Sequence, residues 1–287
     1  MAKPSHLATK NSKAVKHRSF LKWAGGKFRI MDEINRLLPK RKNCLVEPFV
    51  GAGSVFLNTQ FQRYILADIN PDLINLFNIV KTDVNAYIEA LKPIFFHPDA
   101  NTAAYYYARR DEFNHSQDIF KRAVLFVYLN RFGFNGLCRY NAKNEFNVPF
   151  GAYKTHYFPE VELRFFAQKA QSAVFICQDF HRTFEMVDEH CAVYCDPPYA
   201  PLIQDSNFTH YSGTGFSLED QKALAELAKQ SSQTVLISNH DTKFTREIYR
   251  GAKCRKLRVQ RSISQTPKKR LKVGELIAVF TPTHSSR

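Results

Sequence analysis

Short apolar runs alternate along the chain with longer segments of helical periodicity, a pattern typical of α/β proteins. Each run stops at polar residues, which predicts strands that are buried in a sheet and end at one of its edges. The predicted strands are residues 44–46, 64–67, 173–177, 192–195, 234–238 and 276–280.

Between these strands, apolar residues recur at the three- and four-residue spacing of a helix. Pro39 ends the first such segment, and Ser217 followed by Asp220 is a signature of a helix start. The predicted helices cover residues 30–38, 73–80 and 84–91, with two more starting near residues 105 and 217, and residues 119–129 are strongly apolar.

The charge balance indicates a binding partner, because 41 lysines and arginines against 26 acidic residues give a net charge of +15. Such an excess favours a polyanion, nucleic acid above all, although a generic basic surface is the alternative. Residues 1–18 are polar and basic and are expected to form a flexible arm. The six cysteines include no C-x-x-C pair, which favours free thiols over disulfides or zinc, and no apolar run has the length of a membrane span.

The run 192–195 ends in Asp196-Pro197-Pro198-Tyr199, which carries the most distinctive candidate chemistry. Proline cannot continue a sheet ladder, so the turn holds a carboxylate, a rigid backbone and an aromatic ring at the carboxyl end of a strand, where α/β sheets bind ligands. The Asp196 carboxylate and the Pro197 carbonyl could accept both hydrogens of an amino group, and Tyr199 could stack on the ring that carries it. A structural turn with an acidic surface residue is the alternative.

A second candidate site follows the first two strands. Gly51 and Gly53 come after the strand 44–46 and let a ligand approach the backbone closely. Asp68 ends the next strand, 17 residues beyond Gly51, near the spacing at which an acid meets ribose hydroxyls. With Phe49 and Trp23 available for stacking, an adenosine-type cofactor is predicted, and a structural turn is the alternative.

The segment 130–141 combines aromatic, amide and arginine side chains, and its Phe-Gly-Phe-Asn-Gly run is a poor helix interior. It is predicted to be a hairpin or loop, and residues 145–151 are predicted to continue it as a short strand. Arginine can bind guanine bidentately and an aromatic ring can wedge into a base step, so the loop could read DNA. A solvent loop packed by its own aromatic rings is the alternative.

Three further segments carry weaker signals. Residues 200–216 are irregular and are predicted to form a mobile lid, and the basic run 268–272 either contacts phosphates or is a solvated surface. His240 is expected to form a local hydrogen bond rather than to act in catalysis. Gly25-Gly26-Lys27 lacks the spacing of a phosphate-binding loop, which argues against a nucleotidase.

Taken together and in order, seven motifs resemble those of the Dam-type DNA adenine-N6 methyltransferases, in particular the enterobacterial kind that modify GATC. The resemblance covers roughly residues 20–280. The motifs are Phe-Leu-Lys-Trp-Ala-Gly-Gly-Lys, Glu-Pro-Phe-Val-Gly-Ala-Gly-Ser, Ala-Asp-Ile-Asn, Tyr-Leu-Asn-Arg-Phe-Gly-Phe-Asn-Gly-Leu-Cys-Arg-Tyr-Asn, Asn-Val-Pro-Phe-Gly, Asp-Pro-Pro-Tyr and Ile-Ser-Asn-His-Asp.

This resemblance implies an α/β fold, a class I S-adenosylmethionine-dependent methyltransferase (Rossmann-like) sheet with an inserted, mainly helical target-recognition domain that contains a β-hairpin. The implied catalytic domain consists of residues 19–70 and 159–287. The implied DNA target-recognition domain consists of residues 71–158, and residues 1–18 are the arm.

The resemblance also implies roles for individual residues. Two departures from the usual pattern are Asn144, where glycine is expected and which tolerates a left-handed φ, and Phe134, where tyrosine is frequent. The implied catalytic residues are Asp196, Pro197, Pro198 and Tyr199. The implied cofactor-binding residues are Trp23, Lys27, Phe49, Gly51, Gly53, Asp68, Ile69, Asp179, Phe180 and Asp196. The implied DNA-binding residues are Lys22, Arg131, Phe134, Asn135, Leu137, Arg139, Asn141 and Pro149.

The implied activity is methyl transfer from S-adenosylmethionine to N6 of an adenine flipped out of double-stranded DNA, without a metal, by a cytoplasmic, nucleoid-associated monomer. Cytosine-C5 transfer is disfavoured because no Pro-Cys pair occurs, and cytosine-N4 transfer because Ser or Thr more often precedes Pro-Pro there. A nicotinamide oxidoreductase would need a full G-x-G-x-x-G, which is absent. An RNA substrate and a non-catalytic DNA-binding protein are the remaining alternatives.

Overall fold

The computed structural model describes residues 15–201, 215–257 and 274–282. Within them, seven strands form one sheet in the order β3-β2-β1-β4-β5-β7-β6. The first five strands along the chain pair in parallel, and β7 enters antiparallel between β5 and β6. The strands are β1 Cys44–Glu47, β2 Arg63–Asp68, β3 Ala173–Cys177, β4 Cys191–Cys195, β5 Val235–His240, β6 Lys253–Leu257 and β7 Glu275–Phe280.

All six predicted strands are confirmed. Alternate residues of the central strands face two hydrophobic clusters on opposite sides of the sheet, so both faces are buried. Leu45 and Tyr194 pack into one cluster, and Val46 and Cys195 pack into the other. The edge strand β6 was not predicted, because Lys-Cys-Arg-Lys-Leu is mostly exposed and lacks an apolar run.

The predicted helices are also confirmed, and the apolar residues 119–129 lie in a further helix. Side-chain N-caps at Asn70, Asp83, Thr102, Asp118 and Ser217 explain where five helices begin. The helices α2, α7, α8 and α10 were not predicted. The helices are α1 Met31–Leu37, α2 Ser54–Leu57, α3 Pro71–Thr82, α4 Val84–Phe95, α5 Ala103–His115, α6 Ile119–Phe132, α7 Glu160–Ala170, α8 Phe180–Phe184, α9 Leu218–Gln230 and α10 Lys243–Ile248.

The helix α6 forms the centre of the segment between β2 and β3, and its residues from Ala123 to Asn130 are buried on all sides. Arg122 at its start forms a bidentate ion pair with Asp72 of α3, with N–O distances of 2.8 Å. One hydrophobic cluster continues from the sheet through α3 into α4, α5 and α6. The division of the chain at residues 71–158 stays a prediction.

The prediction of a strand at 145–151 is wrong. The loop does fold back on itself, but only through isolated antiparallel bridges, Gly133 with Phe150 and Tyr140 with Phe146. The Asn114 side chain accepts a hydrogen bond from the Phe146 N–H and donates one to the Phe146 carbonyl. These backbone groups are therefore paired with a side chain instead of with a neighbouring strand.

Several other predictions concern residues outside the described ranges. Residues 1–14 of the predicted arm, residues 202–214 of the predicted lid and the basic run 268–272 all lie there. The described end of the arm lies against the fold, because the His17 ring stacks on Phe165 of α7 with 3.7 Å between ring centroids. Among the described helices, none is long and apolar enough to cross a membrane.

Candidate functional site

Three acidic residues meet at the carboxyl edge of the parallel strands. Glu47 ends β1, Asp68 ends β2 and Asp196 directly follows β4. Because β1 pairs with both β2 and β4 in parallel, their carboxyl ends lie side by side at the ligand-binding edge expected for such a sheet.

The Asp-Pro-Pro-Tyr turn is joined to Lys27, which precedes α1. The Lys27 Nζ atom lies 2.6 Å from Oδ2 of Asp196 and 4.9 Å from the ring centroid of Tyr199. It also donates a 2.5 Å hydrogen bond to the Gly25 carbonyl. The Lys27 side chain is 5% exposed and that of Asp196 is 23% exposed, so the carboxylate is held from the protein side and accessible from solvent.

The far side of the same turn is held by α9 and β5. Gln221 Nε2 donates to the Pro198 carbonyl at 2.6 Å, and the Ala200 N–H donates to Asn239 Oδ1 at 3.0 Å. His240 Nδ1 lies 2.7 Å from the Ala200 carbonyl, so the predicted local hydrogen bond is confirmed. Sequence reasoning gave no role to Gln221 or Asn239. A glutamine inside a helix pattern carries no signal of its own, and Asn239 entered only as part of the Ile-Ser-Asn-His-Asp motif.

The glycine loop after β1 is shaped for close approach. Gly51 and Gly53 have φ values of 48° and 72°, the left-handed region that favours glycine. A Cβ atom at Gly51 would lie 2.9 Å from Trp23 Nε1, so the indole packs directly on this glycine. The Gly51 N–H donates to Asp68 Oδ2 at 3.1 Å, which joins the loop to the end of β2.

An apolar surface borders these polar groups. Ile69, just after β2, is 76% exposed, which is unusual for a large apolar residue next to a buried strand. The rings of Phe49 and Phe180 stack with centroids 5.7 Å apart. Asp179 caps α8 by accepting from the Arg182 N–H. An exposed apolar edge beside a carboxylate and glycine backbone fits a purine nucleoside, so the residues present suit the adenosine part of S-adenosylmethionine.

Burial changes the acid strength of two of the three carboxyl groups. Burial raises the pKa of Asp68, although backbone N–H groups of Asn70 and Gly51 oppose the shift. Glu47 is completely buried, and burial followed by the negative charge of Asp196 raises its pKa well above the ordinary value. Glu47 Oε1 has no hydrogen-bond partner among the described residues.

A second cluster surrounds Lys22, five residues before Lys27. The Lys22 backbone exchanges two 2.8 Å hydrogen bonds with the Asn130 side chain of α6. Its Nζ atom donates to the Arg131 carbonyl at 2.8 Å and lies 4.0 Å from the Tyr153 ring centroid. Burial and the charge of Arg131 lower the pKa of Lys22. Tyr153 was missed because no motif in the sequence marks it.

The loop beyond α6 presents its aromatic ring outward. Phe134 is 41% exposed, and its N–H donates to the Pro149 carbonyl at 2.8 Å. Asn135 has a φ of 54° and donates its N–H to the Tyr153 hydroxyl at 2.6 Å. Asn144 has a φ of 60°, which confirms the expectation that asparagine keeps this turn.

The remaining predicted DNA-binding side chains differ in exposure. Arg139 is exposed, and Asn147 holds it through a 2.7 Å bond between Arg139 Nε and Asn147 Oδ1. Leu137 is half-buried, whereas Asn141 is exposed but uses its Oδ1 to accept from the Glu145 N–H. Arg131 is half-buried with its guanidinium 5.5 Å from the Tyr157 ring centroid. The described residues contain no cluster of His, Cys, Asp or Glu suited to a metal ion.

The strand order with an antiparallel β7, together with the acidic residues and the Asp-Pro-Pro-Tyr turn at the carboxyl edge, matches the fold of a class I methyltransferase. More particularly, a family model of the D12 class N6 adenine-specific DNA methyltransferases matches residues 23–263, and the chain belongs to this family. The resemblance to Dam-type enzymes is thereby confirmed, and the cytosine, oxidoreductase and non-catalytic alternatives are excluded.

Curated relatives agree with this assignment. A DNA adenine methylase of Haemophilus influenzae is 69% identical over 93% of this chain and 94% of its own length. A DNA adenine methylase of Escherichia coli K12 is 57% identical over 93% of this chain and 96% of its own length. A DNA adenine methylase of Vibrio cholerae is 55% identical over 95% of this chain and 99% of its own length.

Proposed function

We propose that the chain methylates N6 of adenine within GATC in double-stranded DNA, that S-adenosylmethionine is the methyl donor, and that the adenine is flipped out of the duplex before transfer. The observation that carries this proposal is the Asp-Pro-Pro-Tyr turn, in which Lys27 fixes a solvent-accessible Asp196 carboxylate beside the Tyr199 ring.

The exocyclic amino group of adenine has two N–H donors and a nitrogen lone pair that is delocalised into the ring. The Asp196 carboxylate and the Pro197 carbonyl would accept the two hydrogens, which directs the lone pair out of the ring plane. No hydrogen bond to the Pro197 carbonyl occurs among the described residues. Tyr199 would stack on the base, which must leave the duplex because a paired amino group cannot reach such a turn.

Residues at the ends of β1, β2 and β3 would hold the methyl donor. Asp68 would accept from ribose hydroxyls, and the glycine loop would allow close approach of the methionine part. Trp23, which packs on Gly51, and the exposed Ile69 would contribute apolar contacts, and Phe180 would complete them. When bound, S-adenosylmethionine supplies a methyl group already activated by the positive sulfur, so the protein contributes mainly positioning.

The Lys22 cluster and the loop that follows α6 would read the DNA. Phe134 would wedge between bases and Arg139 would bind a guanine edge, while Lys22, Leu137 and Pro149 would complete the base contacts. Asn135, Arg131 and Asn141 would support or flank these contacts. The net charge of +15 supports binding to the phosphate backbone. We further propose that the enzyme acts as a monomer on the nucleoid in the cytoplasm.

The test is transfer of a labelled methyl group from S-adenosylmethionine to three duplexes that contain GATC, the same bases scrambled, or GATC methylated on both strands. Label on the first duplex alone, recovered as N6-methyladenine, is the expected result. Label on the scrambled duplex would contradict the GATC assignment, and no label from this donor on any duplex would contradict the donor.

A further inference from the structure

The two peptide groups on either side of Tyr199 are each held by a buried side-chain amide. The peptide that joins Pro198 to Tyr199 accepts through its carbonyl from Gln221 Nε2 at 2.6 Å. The peptide that joins Tyr199 to Ala200 donates through its N–H to Asn239 Oδ1 at 3.0 Å. The backbone torsions of Tyr199 are the rotations between these two groups, so holding both groups fixes the direction of the Cα–Cβ bond that carries the ring.

The two amides also fix each other. Asn239 Oδ1 accepts from the backbone N–H groups of Ala200 and His240, the latter at 2.8 Å, so its Nδ2 must face the other way. There Nδ2 donates to Gln221 Oε1 and to the Tyr249 hydroxyl, both at 2.9 Å. Gln221 is therefore left with only its Nε2 group to present to the Pro198 carbonyl, and the whole chain of bonds has one polarity.

Burial shows that these amides are not simple space fillers. Asn239 is 0% exposed and Gln221 is 1% exposed. A buried amide costs free energy unless its hydrogen bonds are made, and a leucine or methionine would fill the same space without that cost. All four hydrogen-bonding positions of the Asn239 side chain are occupied, so the amides hold a defined backbone geometry rather than volume.

We propose that Gln221 and Asn239 are positioning residues that act through the backbone of Tyr199 and set the plane on which the target adenine stacks. This inference rests on the proposed base flipping and deepens it. Lys27 fixes Asp196 at the start of the turn, and the amide pair fixes Tyr199 at its end. The Pro197 carbonyl lies between these two anchors, so its direction depends on both.

The first test compares Gln221→Met with wild type and with Gln233→Met. Gln233 is also buried, but it lies before β5, at the opposite edge of the sheet. Loss of the bond to Pro198 should lower kcat by roughly tenfold or more, because small misplacements of reacting groups are costly, while KM for the GATC duplex changes by less than about twofold. The control variant should keep wild-type kcat.

A fluorescent base analogue measures how well the flipped base stacks on Tyr199. A duplex with 2-aminopurine in place of the target adenine becomes brighter when the base leaves the stack, and stacking on an aromatic ring quenches it again. With Gln221→Met, the bound duplex should be brighter than with wild type, because the flipped base stacks less well on Tyr199. A purely structural role would change the thermal midpoint and the fraction of active enzyme but not this signal per bound complex.

A second variant keeps the test decisive if Gln221→Met folds poorly. In Gln221→Glu, the protonated carboxyl can donate to the Pro198 carbonyl and accept from Asn239, whereas the ionised form places two acceptors together. The ratio of variant to wild-type kcat should therefore rise as pH falls from about 8.5 to 6, since burial raises the pKa of such a glutamate. Wild type carries the same neighbouring groups, His240 and Tyr249, so the ratio corrects for the pH dependence that both proteins share.

A folded Gln221→Met with wild-type kcat and fluorescence, or a pH-independent Gln221→Glu ratio, would overturn the inference while leaving the proposed function intact. If the enzyme methylates GATC but neither wild type nor Gln221→Met changes the fluorescence on binding, base flipping is overturned and this inference with it.

Discussion

At the scale of single residues, Lys27 shows how a buried charge is used. Its ammonium group is nearly enclosed, yet it contacts the Asp196 carboxylate, the Gly25 carbonyl and the Tyr199 ring together. A buried lysine is tolerated when it is paired and hydrogen-bonded, and here the pairing also fixes the group that would accept the adenine amino hydrogens.

Replacement of Lys27 by methionine keeps the length of the side chain and removes the charge. Asp196 then loses its ion-pair partner and rotates more freely, so we expect methyl transfer to fall roughly tenfold to a hundredfold, the effect of losing one charged hydrogen bond. Single-turnover rates at saturating DNA measure this. Lys42→Met is the matched control, because Lys42 binds Gln233 at the opposite edge of the sheet; an equal loss there would contradict the assignment.

Glu47 predicts a pH dependence of stability. Its pKa in the folded protein is raised well above the unfolded value, so the folded state binds a proton more tightly. The stabilisation is present below the unfolded pKa and is lost as pH rises towards the folded pKa. The free energy of unfolding of the wild type should therefore decline as pH rises from the unfolded to the folded pKa of Glu47. The Glu47→Gln variant should lack this decline. Urea titrations across pH 4 to 8 would show it, and identical curves for both proteins would refute it.

At the scale of elements, the junction between α3 and α6 carries a buried ion pair. Asp72 accepts from two nitrogens of Arg122 and from the Tyr140 hydroxyl at 2.7 Å. This group joins two helices to the loop that contains the predicted DNA-binding residues, so it supports both packing and the position of that loop.

Arg122→Met should destabilise the fold by about 3 kcal/mol, because Asp72 would remain buried without its partner charge. Chemical denaturation monitored by circular dichroism measures the change. Arg164→Met removes an exposed pair with Glu160 and should cost less than about 1 kcal/mol. Similar losses of stability for both variants would show that the buried ion pair stabilises the fold no more than the exposed pair does.

The elements themselves differ in how far they could be predicted. The strands β1 to β5 were visible because each is an apolar run that ends at a polar residue, and α9 was visible from its Ser217 cap. The helices α2, α8 and α10 have four to six residues, too few for a periodicity to show. In the site, Asp196 followed from local sequence, whereas Gln221 and Tyr153 act across contacts that only the fold creates.

At the scale of the whole molecule, the net charge of +15 predicts the salt dependence of DNA binding. Each phosphate neutralised releases counterions, so log affinity should fall linearly with log salt, with a slope of about −0.9 per contact. GATC and scrambled duplexes should show nearly the same slope, since phosphate contacts do not depend on sequence. Fluorescence anisotropy titrations measure both slopes, and a salt-independent affinity would contradict a phosphate-bound duplex.

The stretch from Lys22 to Lys27 joins the two clusters with only six residues of chain. One end is fastened to Asn130 and Arg131, and the other end is fastened to Asp196. Under the proposed function, a substitution that alters base reading near Lys22 also shifts the group that orients Asp196, and selection acts on both effects at once. The sequence preference of such an enzyme should therefore change slowly during evolution, because its catalytic rate depends on the same six residues.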